Sequence, residues 1–362
     1  MLTLKKISLF QFKNYGQQSF DFGSRITGIC GNNGVGKTNL LNAIYYLCFT
    51  KNYFSRQDSQ NVQSGRVGFR IEGEFKLQDK TEKAVCILRE TGKKEFLIDD
   101  APYEKFSRHI GRYPCVIIAP DDAELITGTS EQRRRFIDSI LSQLYPDYLE
   151  QLISYIRVLQ QRNSLLKFFA ETGTKNFELL DVLDGQLIKH GNYIFNKRKE
   201  FLISFLADAK QLYNEIAGKN EVVNLFYESQ LLQDPFEELL ATGREKDCFS
   251  MRTNYGIHRD DLDLRMNDTI FKNIASQGQR KNLLFALKLT ELKVLATEKG
   301  FPPILLLDDV FEKLDEDRMS NLLKKVCVEN EGQVFITDTD QQRLSAHLKQ
   351  IGCAFEIINL TE

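Results

Sequence analysis

The sequence predicts an α/β fold: a mostly parallel sheet with helices, a mixed β subdomain beside it, and a helical segment inserted between two parts of one domain. Three observations predict it. A strand, loop and helix follow one another near the start, strands alternate with helices over the last third, and the apolar period lengthens in the middle from two to between three and four.

The strand–loop–helix unit is the most informative stretch. Gly31 to Thr38 reads GNNGVGKT and satisfies every fixed position of the phosphate-binding pattern G-x-x-x-x-G-K-[ST]. The apolar run Ile26 to Cys30 precedes it, and an apolar-periodic segment from Asn39 to Leu47 follows. Gly31, Gly34 and Gly36 allow positive φ, so that the N–H groups of Gly31, Asn32, Asn33, Gly34, Val35, Gly36, Lys37, Thr38 and Asn39 can surround a triphosphate at a helix N-terminus. Lys37 is placed to reach the β- and γ-phosphates, and the Thr38 hydroxyl to ligate Mg²⁺. ATP and Mg²⁺ are the ligands this loop predicts.

Residues 2 to 10 and 20 to 22 read as strands leading to the loop. Alternation at Val67 to Phe75, Ala84 to Arg89 and Glu95 to Ile98 gives a mainly antiparallel subdomain. Cys115 to Ile118 is a buried strand ending in Ala119-Pro120-Asp121-Asp122. From about Ser130 helical spacing takes over. Leu149, Leu152, Ile156, Leu159, Asn163 and Leu166 form one seam, and Leu183, Leu187, Ile194, Phe201, Phe205, Leu212 and Ile216 a second. The turn at Glu171 to Asn176 makes the pair an antiparallel hairpin. A strand at Leu262 to Met266 then precedes a helix from Gly278 to about Lys299. Strands at Ile304 to Leu307, Val334 to Ile336 and Ala354 to Ile358 alternate with helices near 315 to 328 and 341 to 349. The expected division is residues 1–125 and 251–362 as the two parts of one nucleotide-binding lobe, with 126–250 as the helical insertion.

Composition bounds the function classes. The 362 residues are 42% apolar and 27% charged, ordinary for a globular protein, and no apolar run approaches a membrane span. The start MLTLKKISLF lacks the apolar segment of a signal peptide, so the chain reads as cytoplasmic, without a membrane partner. Seven cysteines without a C-x-x-C pair and four dispersed histidines predict neither a disulfide framework nor a zinc site. A net charge of −2 means that any polyanion is met by local patches, for which Arg133, Arg134, Arg135, Lys197 and Arg198 are candidates as contacts to DNA phosphates.

Two further elements complete a nucleotide site. Ile304-Leu305-Leu306-Leu307-Asp308-Asp309 is an apolar strand ending in two acids, the Walker B form, with Asp308 placed to hold Mg²⁺ opposite Thr38 and Asp309 to polarise the attacking water. Ala275-Ser276-Gln277-Gly278-Gln279-Arg280-Lys281 leads into a helix that Ser276 can cap. The element resembles the signature motif of ABC-type ATPases, and the resemblance implies that Ser276, Gln277, Gly278 and Gln279 contact ATP held by a second copy of the chain. Lys313-Leu314-Asp315 stands where such ATPases place their D-loop.

Taken in order, these motifs resemble the RecF family of bacterial recombination proteins across essentially the whole length. The residues that carry the resemblance are Phe12-Lys13-Asn14-Tyr15, GNNGVGKTN, Pro120-Asp121-Asp122, Arg133-Arg134-Arg135-Phe136-Ile137-Asp138, Gln161-Arg162-Asn163, Gly256-Ile257-His258-Arg259-Asp260-Asp261, the Ser276 element and Leu306-Leu307-Asp308-Asp309-Val310. The resemblance implies an ABC-type ATPase head, like that of a structural-maintenance-of-chromosomes protein without its long arms. It also implies an ATP-dependent homodimer that binds duplex DNA and single-strand/duplex junctions, works with RecR and RecO to load RecA, and hydrolyses ATP slowly as a release switch. Asp308-Asp309 replaces the Asp-Glu of transporter-type ATPases, and Thr337-Asp338-Thr339 occupies the place of their switch histidine, which fits slow turnover. The alternative is an ABC-type ATPase that couples hydrolysis to another process.

Overall fold

The computed structural model describes every residue except 56, 219–220, 311–315 and 362, and the side chains of 316–318 also lie outside the description. The D-loop expectation at Lys313-Leu314-Asp315 falls outside the described residues. The chain forms two compact units, Met1–Asp122 with Leu287–Glu362, and Ala123–Ala286.

The first unit begins with strands β1 (Leu2–Phe12), β2 (Tyr15–Asp21) and β3 (Ile26–Cys30), then helix α1 (Lys37–Phe49). Strands β4 (Phe69–Leu77), β5 (Lys80–Leu88), β6 (Lys94–Ile98), β7 (Ala101–Pro102) and β8 (Cys115–Ile118) follow. A six-stranded antiparallel sheet runs β2-β1-β4-β5-β6-β7. In β4, alternate residues Phe69, Ile71, Gly73 and Phe75 are buried, the pattern of a sheet with one wet face.

The second unit holds α2 (Glu124–Thr127), α3 (Ser130–Leu144), the long helices α4 (Pro146–Thr172) and α5 (Phe177–Ala217), strand β9 (Val223–Glu228) and α6 (Phe236–Ser250). Strands β10 (Asp261–Met266) and β11 (Thr269–Ile270), the short α7 (Phe271–Ile274) and the start of α8 (Gln277–Lys299) complete it. The predicted hairpin is α4 and α5, with Gly173 closing α4 at φ 70°. Residue 251 is not the point of return to the first unit, as the sequence suggested. β10 pairs along its whole length with β9, so the return comes at Leu287, inside α8.

The first unit then closes with β12 (Ile304–Leu307), α9 (Glu316–Leu323), β13 (Val334–Asp338), α10 (Gln341–Gln350) and β14 (Glu356–Asn359). These strands join β3 and β8 in a five-stranded parallel sheet of order β14-β3-β13-β12-β8. Every residue of β3, β8, β12 and β13 is buried, as parallel strands covered on both faces require. α1 packs against strands of both sheets, and from Leu40 to Phe49 it is buried on all sides. That is why its residues show no clean polar stripe.

Leu166 of α4 and Leu183, Leu187, Ile194 and Phe205 of α5 are buried as the spacing predicts, while the rest of the α4 seam is shifted by about one residue. Ile156, placed in the seam by spacing, is 45% exposed, while Tyr148, Tyr155, Arg162 and Phe169 line the buried side at seven-residue intervals. Arg162 is fully buried, with Nε donating to Asp184 (2.6 Å) and Nη1 to Asp247 (2.7 Å) and to Thr253 Oγ1 (3.0 Å). Asn163 accepts from the Thr253 backbone N–H at 2.7 Å. A charge in the seam is admissible only with such partners, so the Gln161-Arg162-Asn163 motif fixes how α4, α5 and α6 meet.

The basic cluster is likewise corrected. Arg198, expected on a solvent face, is 1% exposed and donates to Asp138 (2.8 Å), Asp260 (2.7 Å), the Ile257 carbonyl (2.8 Å) and Tyr148 Oη (3.1 Å). Arg133 is buried in a two-point pair with Asp261, at 2.6 and 3.0 Å, and Arg134 donates to the Asp260 carbonyl at 2.6 Å. Neither Arg133 nor Arg198 presents its guanidinium to a DNA backbone. Arg135 stays exposed, paired with Glu131 one turn away, and Lys197 lies half-buried over the Tyr145 ring at 5.1 Å.

Gly256-Ile257-His258-Arg259-Asp260-Asp261 reads as scaffold on the same grounds. Its two acids anchor Arg198 and Arg133, and His258 bonds Tyr155 Oη at 2.7 Å and the Thr253 carbonyl at 3.1 Å. Burial pushes the His258 imidazole down to about 4, so it is neutral at physiological pH.

Replacing Arg198 by Met should destabilise the protein by about 3–5 kcal/mol, because Asp138 and Asp260 lose their counter-charge. Arg135→Met should change stability by less than about 0.5 kcal/mol. Urea unfolding followed by circular dichroism separates the two; similar midpoints for both variants would contradict the buried network.

Candidate nucleotide site

The site forms at the C-terminal edge of the parallel sheet, where α/β sheets bind ligands. β3 delivers its last residue, Cys30, to the glycine loop, and α1 starts at Lys37. Gly36 precedes the helix with φ 111°, and Gly31 and Gly34 also have positive φ, at 151° and 89°. Lys37 is 4% exposed, and its ammonium donates to the carbonyls of Gly31 (2.8 Å) and Asn32 (3.0 Å), which holds it across the loop.

The β1–β2 hairpin braces this loop. Its two-residue turn, Lys13-Asn14, brings Asn14 Nδ2 to the Val35 carbonyl at 2.9 Å and Tyr15 Oη to the Gly36 carbonyl at 2.9 Å. Asn39 Nδ2 donates back to Asn14 Oδ1 at 2.8 Å. With Val35 and Gly36 carbonyls tied to the hairpin, the loop's N–H groups are left for a ligand. A Cβ on Gly36 would stand 2.5 Å from Asn14 Nδ2 and 2.9 Å from Tyr15 Oη, so glycine is required there on two counts. Phe12-Lys13-Asn14-Tyr15 was legible as a motif, but only the folded hairpin reveals what Asn14 and Tyr15 do.

The two acids lie where β12 ends. Asp308 is 3% exposed, and its Oδ1 accepts from Thr38 Oγ1 at 2.9 Å and from Thr337 Oγ1 at 2.9 Å. Burial, and secondarily the neighbouring Asp309 charge, raise the Asp308 carboxyl to about 6, against the opposing pull of its two hydroxyl donors. A nearby cation offsets that cost, and a carboxylate beside a hydroxyl is the hard oxygen set that suits Mg²⁺. Thr38 and Asp308 are therefore the residues that would hold it.

Asp309 adopts φ 46°, in the left-handed region that a non-glycine residue visits at a cost, and its N–H donates to Thr337 Oγ1 at 2.8 Å. Beyond Thr337, Asp338 is 2% exposed and accepts from Arg343 Nη2 at 2.7 Å. Asp338 belongs to the Thr337-Asp338-Thr339 stretch, which stands where the resemblance to transporter-type ATPases implies a switch histidine.

Lys37, Thr38, Asp308 and Asp309 thus converge within the first unit. Ser276, Gln277, Gly278 and Gln279 belong to the second unit, at the start of α8. There Ser276 Oγ accepts from the Gln279 N–H at 3.2 Å, and Gln279 Oε1 accepts from the Ser276 N–H at 2.8 Å, a reciprocal cap that leaves Ser276 exposed at a helix N-terminus.

A glycine loop joined to paired acids across a parallel sheet, with an inserted helical unit that carries a capped Ser-Gln-Gly-Gln turn, defines an ABC-type ATPase head. The model of the family described as RecF/RecN/SMC N terminal domain matches residues 3–358. The DNA replication and repair protein RecF of Flavobacterium johnsoniae is 43% identical over 99% of this chain and 100% of that relative. The RecF of Parabacteroides distasonis is 39% identical over 95% of this chain and 93% of the relative. The chain belongs to the RecF family. Among solved structures, the recombination mediator protein RecF-ATP in the RecFOR pathway is similar with TM-score 0.87 at 29% identity, covering 94% of this chain and 92% of that one. The Smc head domain of Pyrococcus furiosus, at 15% identity and TM-score 0.55 over 96% of this chain and 92% of that one, shares the fold.

Gly36→Ala should weaken ATP binding about tenfold or more, since strain and overlap with Asn14 and Tyr15 both distort the loop. Calorimetric titration measures it. An affinity within about twofold of the parent would contradict the described brace.

Proposed function

We propose that the protein is an ATP-switched DNA clamp of recombinational repair. The observation that carries this reading is the meeting of Thr38 and Asp308 beside Lys37 and Asp309, in a chain of the RecF family. ATP binds the loop of Gly31 to Asn39, with Mg²⁺ held by Thr38 and Asp308. Bound there, Mg²⁺ would supply charge neutralisation, with Thr38 and Asp308 as the residues that would hold it. Lys37 contacts the terminal phosphates, and Asp309 orients and deprotonates the attacking water.

A second copy adds Ser276, Gln277, Gly278 and Gln279 to the γ-phosphate through the exposed N-terminus of α8. The γ-phosphate then provides contacts that exist only in the dimer, so hydrolysis shifts the population back to monomers. In the dimeric state the protein holds duplex DNA at single-strand junctions in the cytoplasm, and with RecR and RecO promotes loading of RecA. Arg135 and Lys197 remain as candidate phosphate contacts, with Arg133 and Arg198 withdrawn to the scaffold.

Light scattering of the parent and of Asp309→Asn, with ATP and Mg²⁺ and with or without a short duplex, tests this. The parent should dimerise only with ATP and revert as ATP is consumed, whereas Asp309→Asn should bind ATP and stay dimeric on the duplex. A monomer under every condition would overturn the clamp, and reversion of Asp309→Asn at the parental rate would remove Asp309 as the base.

A further inference from the structure

The order of the parallel sheet puts one strand between the two halves of the site. β3, which carries the glycine loop, and β12, which carries the acids, are not neighbours, because β13 lies between them. Leu307 stands opposite Ile336, so the next residue of β13, Thr337, comes level with the acids, and its partner on the other side is Ile29. Besides the direct contact of Thr38 with Asp308, the end of β13 therefore stands beside the acids.

Thr337 is fully buried, and its single hydroxyl proton has a clear destination. Oγ1 lies 2.9 Å from Asp308 Oδ1, against 3.5 Å from Asp309 Oδ1 and 3.5 Å from the Leu307 carbonyl, so the proton goes to Asp308. The same oxygen accepts the Asp309 N–H at 2.8 Å. One side chain therefore grips the metal-side carboxylate through its proton and the backbone of the next residue through its lone pair. That backbone has φ 46°, a conformation that persists only where neighbours hold it. Thr38 donates to the same Asp308 oxygen, so a chain of contacts runs from Thr38 through Asp308 and Thr337 to the Asp309 N–H.

We infer that Thr337 is a positioning residue for ATP hydrolysis, which aims the Asp309 carboxylate by fixing its backbone to Asp308. The inference rests on the reading of Asp309 as the base. Thr337 touches neither nucleotide nor water in this role. Without its hydroxyl, the Asp309 N–H loses its acceptor and Asp308 one of its two donors, while Lys37, the glycine loop and Thr38 keep theirs. Hydrolysis then falls and ATP affinity stays.

The test measures kcat and the ATP dissociation constant for the parent, Thr337→Val, Thr337→Ala, Thr337→Ser, Asp309→Asn and the double variant Thr337→Val with Asp309→Asn. Thr337→Val and Thr337→Ala should lower kcat about tenfold or more, the scale on which misplaced catalytic groups act. ATP affinity should remain within about twofold in both, which also certifies a folded site. Thr337→Ser should recover most of the rate, and Thr337→Val should add nothing in the Asp309→Asn background. Parental turnover in both hydroxyl-free variants, loss of rate and affinity together, no recovery with serine, or an equal further loss in the Asp309→Asn background would each overturn the inference. Parental turnover by Asp309→Asn alone would overturn it together with the reading of the base, which tells the two failures apart.

Discussion

The hydroxyl of Thr38 meets the carboxylate of Asp308 across 270 residues of chain, and the rest of the site depends on that contact. It requires that the first and last parts of the sequence share one parallel sheet, with β3 and β12 both ending at the same edge. The sheet in turn requires the long middle segment to leave and return without disturbing it. A folded second unit from Ala123 to Ala286 meets that need by packing its own core. Insertion, shared sheet and bipartite site are thus consequences of one geometric demand. Asp308 carries the electrostatic side of the arrangement. It is 3% exposed, and although burial raises its carboxyl to about 6, the hydroxyls of Thr337 and Thr38 favour its charged form.

Elements whose signal is local were legible in the sequence. The glycine loop has fixed spacing, the parallel strands are short uninterrupted apolar runs, and the α4–α5 hairpin has helical periodicity broken by a glycine turn. Candidate residues named from these signals, Lys37, Thr38, Asp308 and Asp309, converge at one sheet edge. What escaped detection is non-local. Arg162 sits in the α4 seam because Asp184 and Asp247 come from other helices, so spacing alone favoured Ile156. Arg198 looked, beside Lys197, like a surface cation, and its true partners, Asp138 and Asp260, lie 60 and 62 residues away. The return to the first unit was placed at 251, ahead of the strand expected at Leu262 to Met266. The pairing of β9 with β10, which carries the boundary on to Leu287, leaves no trace in periodicity.

Motif residues divide between two tasks. The glycine loop and the acids serve the site directly, whereas Gln161-Arg162-Asn163, Arg133 to Asp138 and Gly256 to Asp261 build the second unit around buried guanidinium–carboxylate pairs. Such pairs need not add net stability over apolar packing, but they penalise every misregistered arrangement of α3, α4 and α5, because a shifted helix would strand a charge. Asn14 and Tyr15 do the equivalent work in the first unit, tying the Val35 and Gly36 carbonyls of the glycine loop to the β1–β2 hairpin.

The most direct measurement of the central claim is ATP affinity with and without Mg²⁺, in the parent and in Asp308→Ala. The account predicts that Mg²⁺ strengthens ATP binding by the parent, and that this gain disappears in the variant while Mg²⁺-free binding through Lys37 and the glycine loop survives. An undiminished Mg²⁺ gain in Asp308→Ala would contradict it, and would mean that the contact between Thr38 and Asp308 is a fold contact and not the metal-holding half of a nucleotide site.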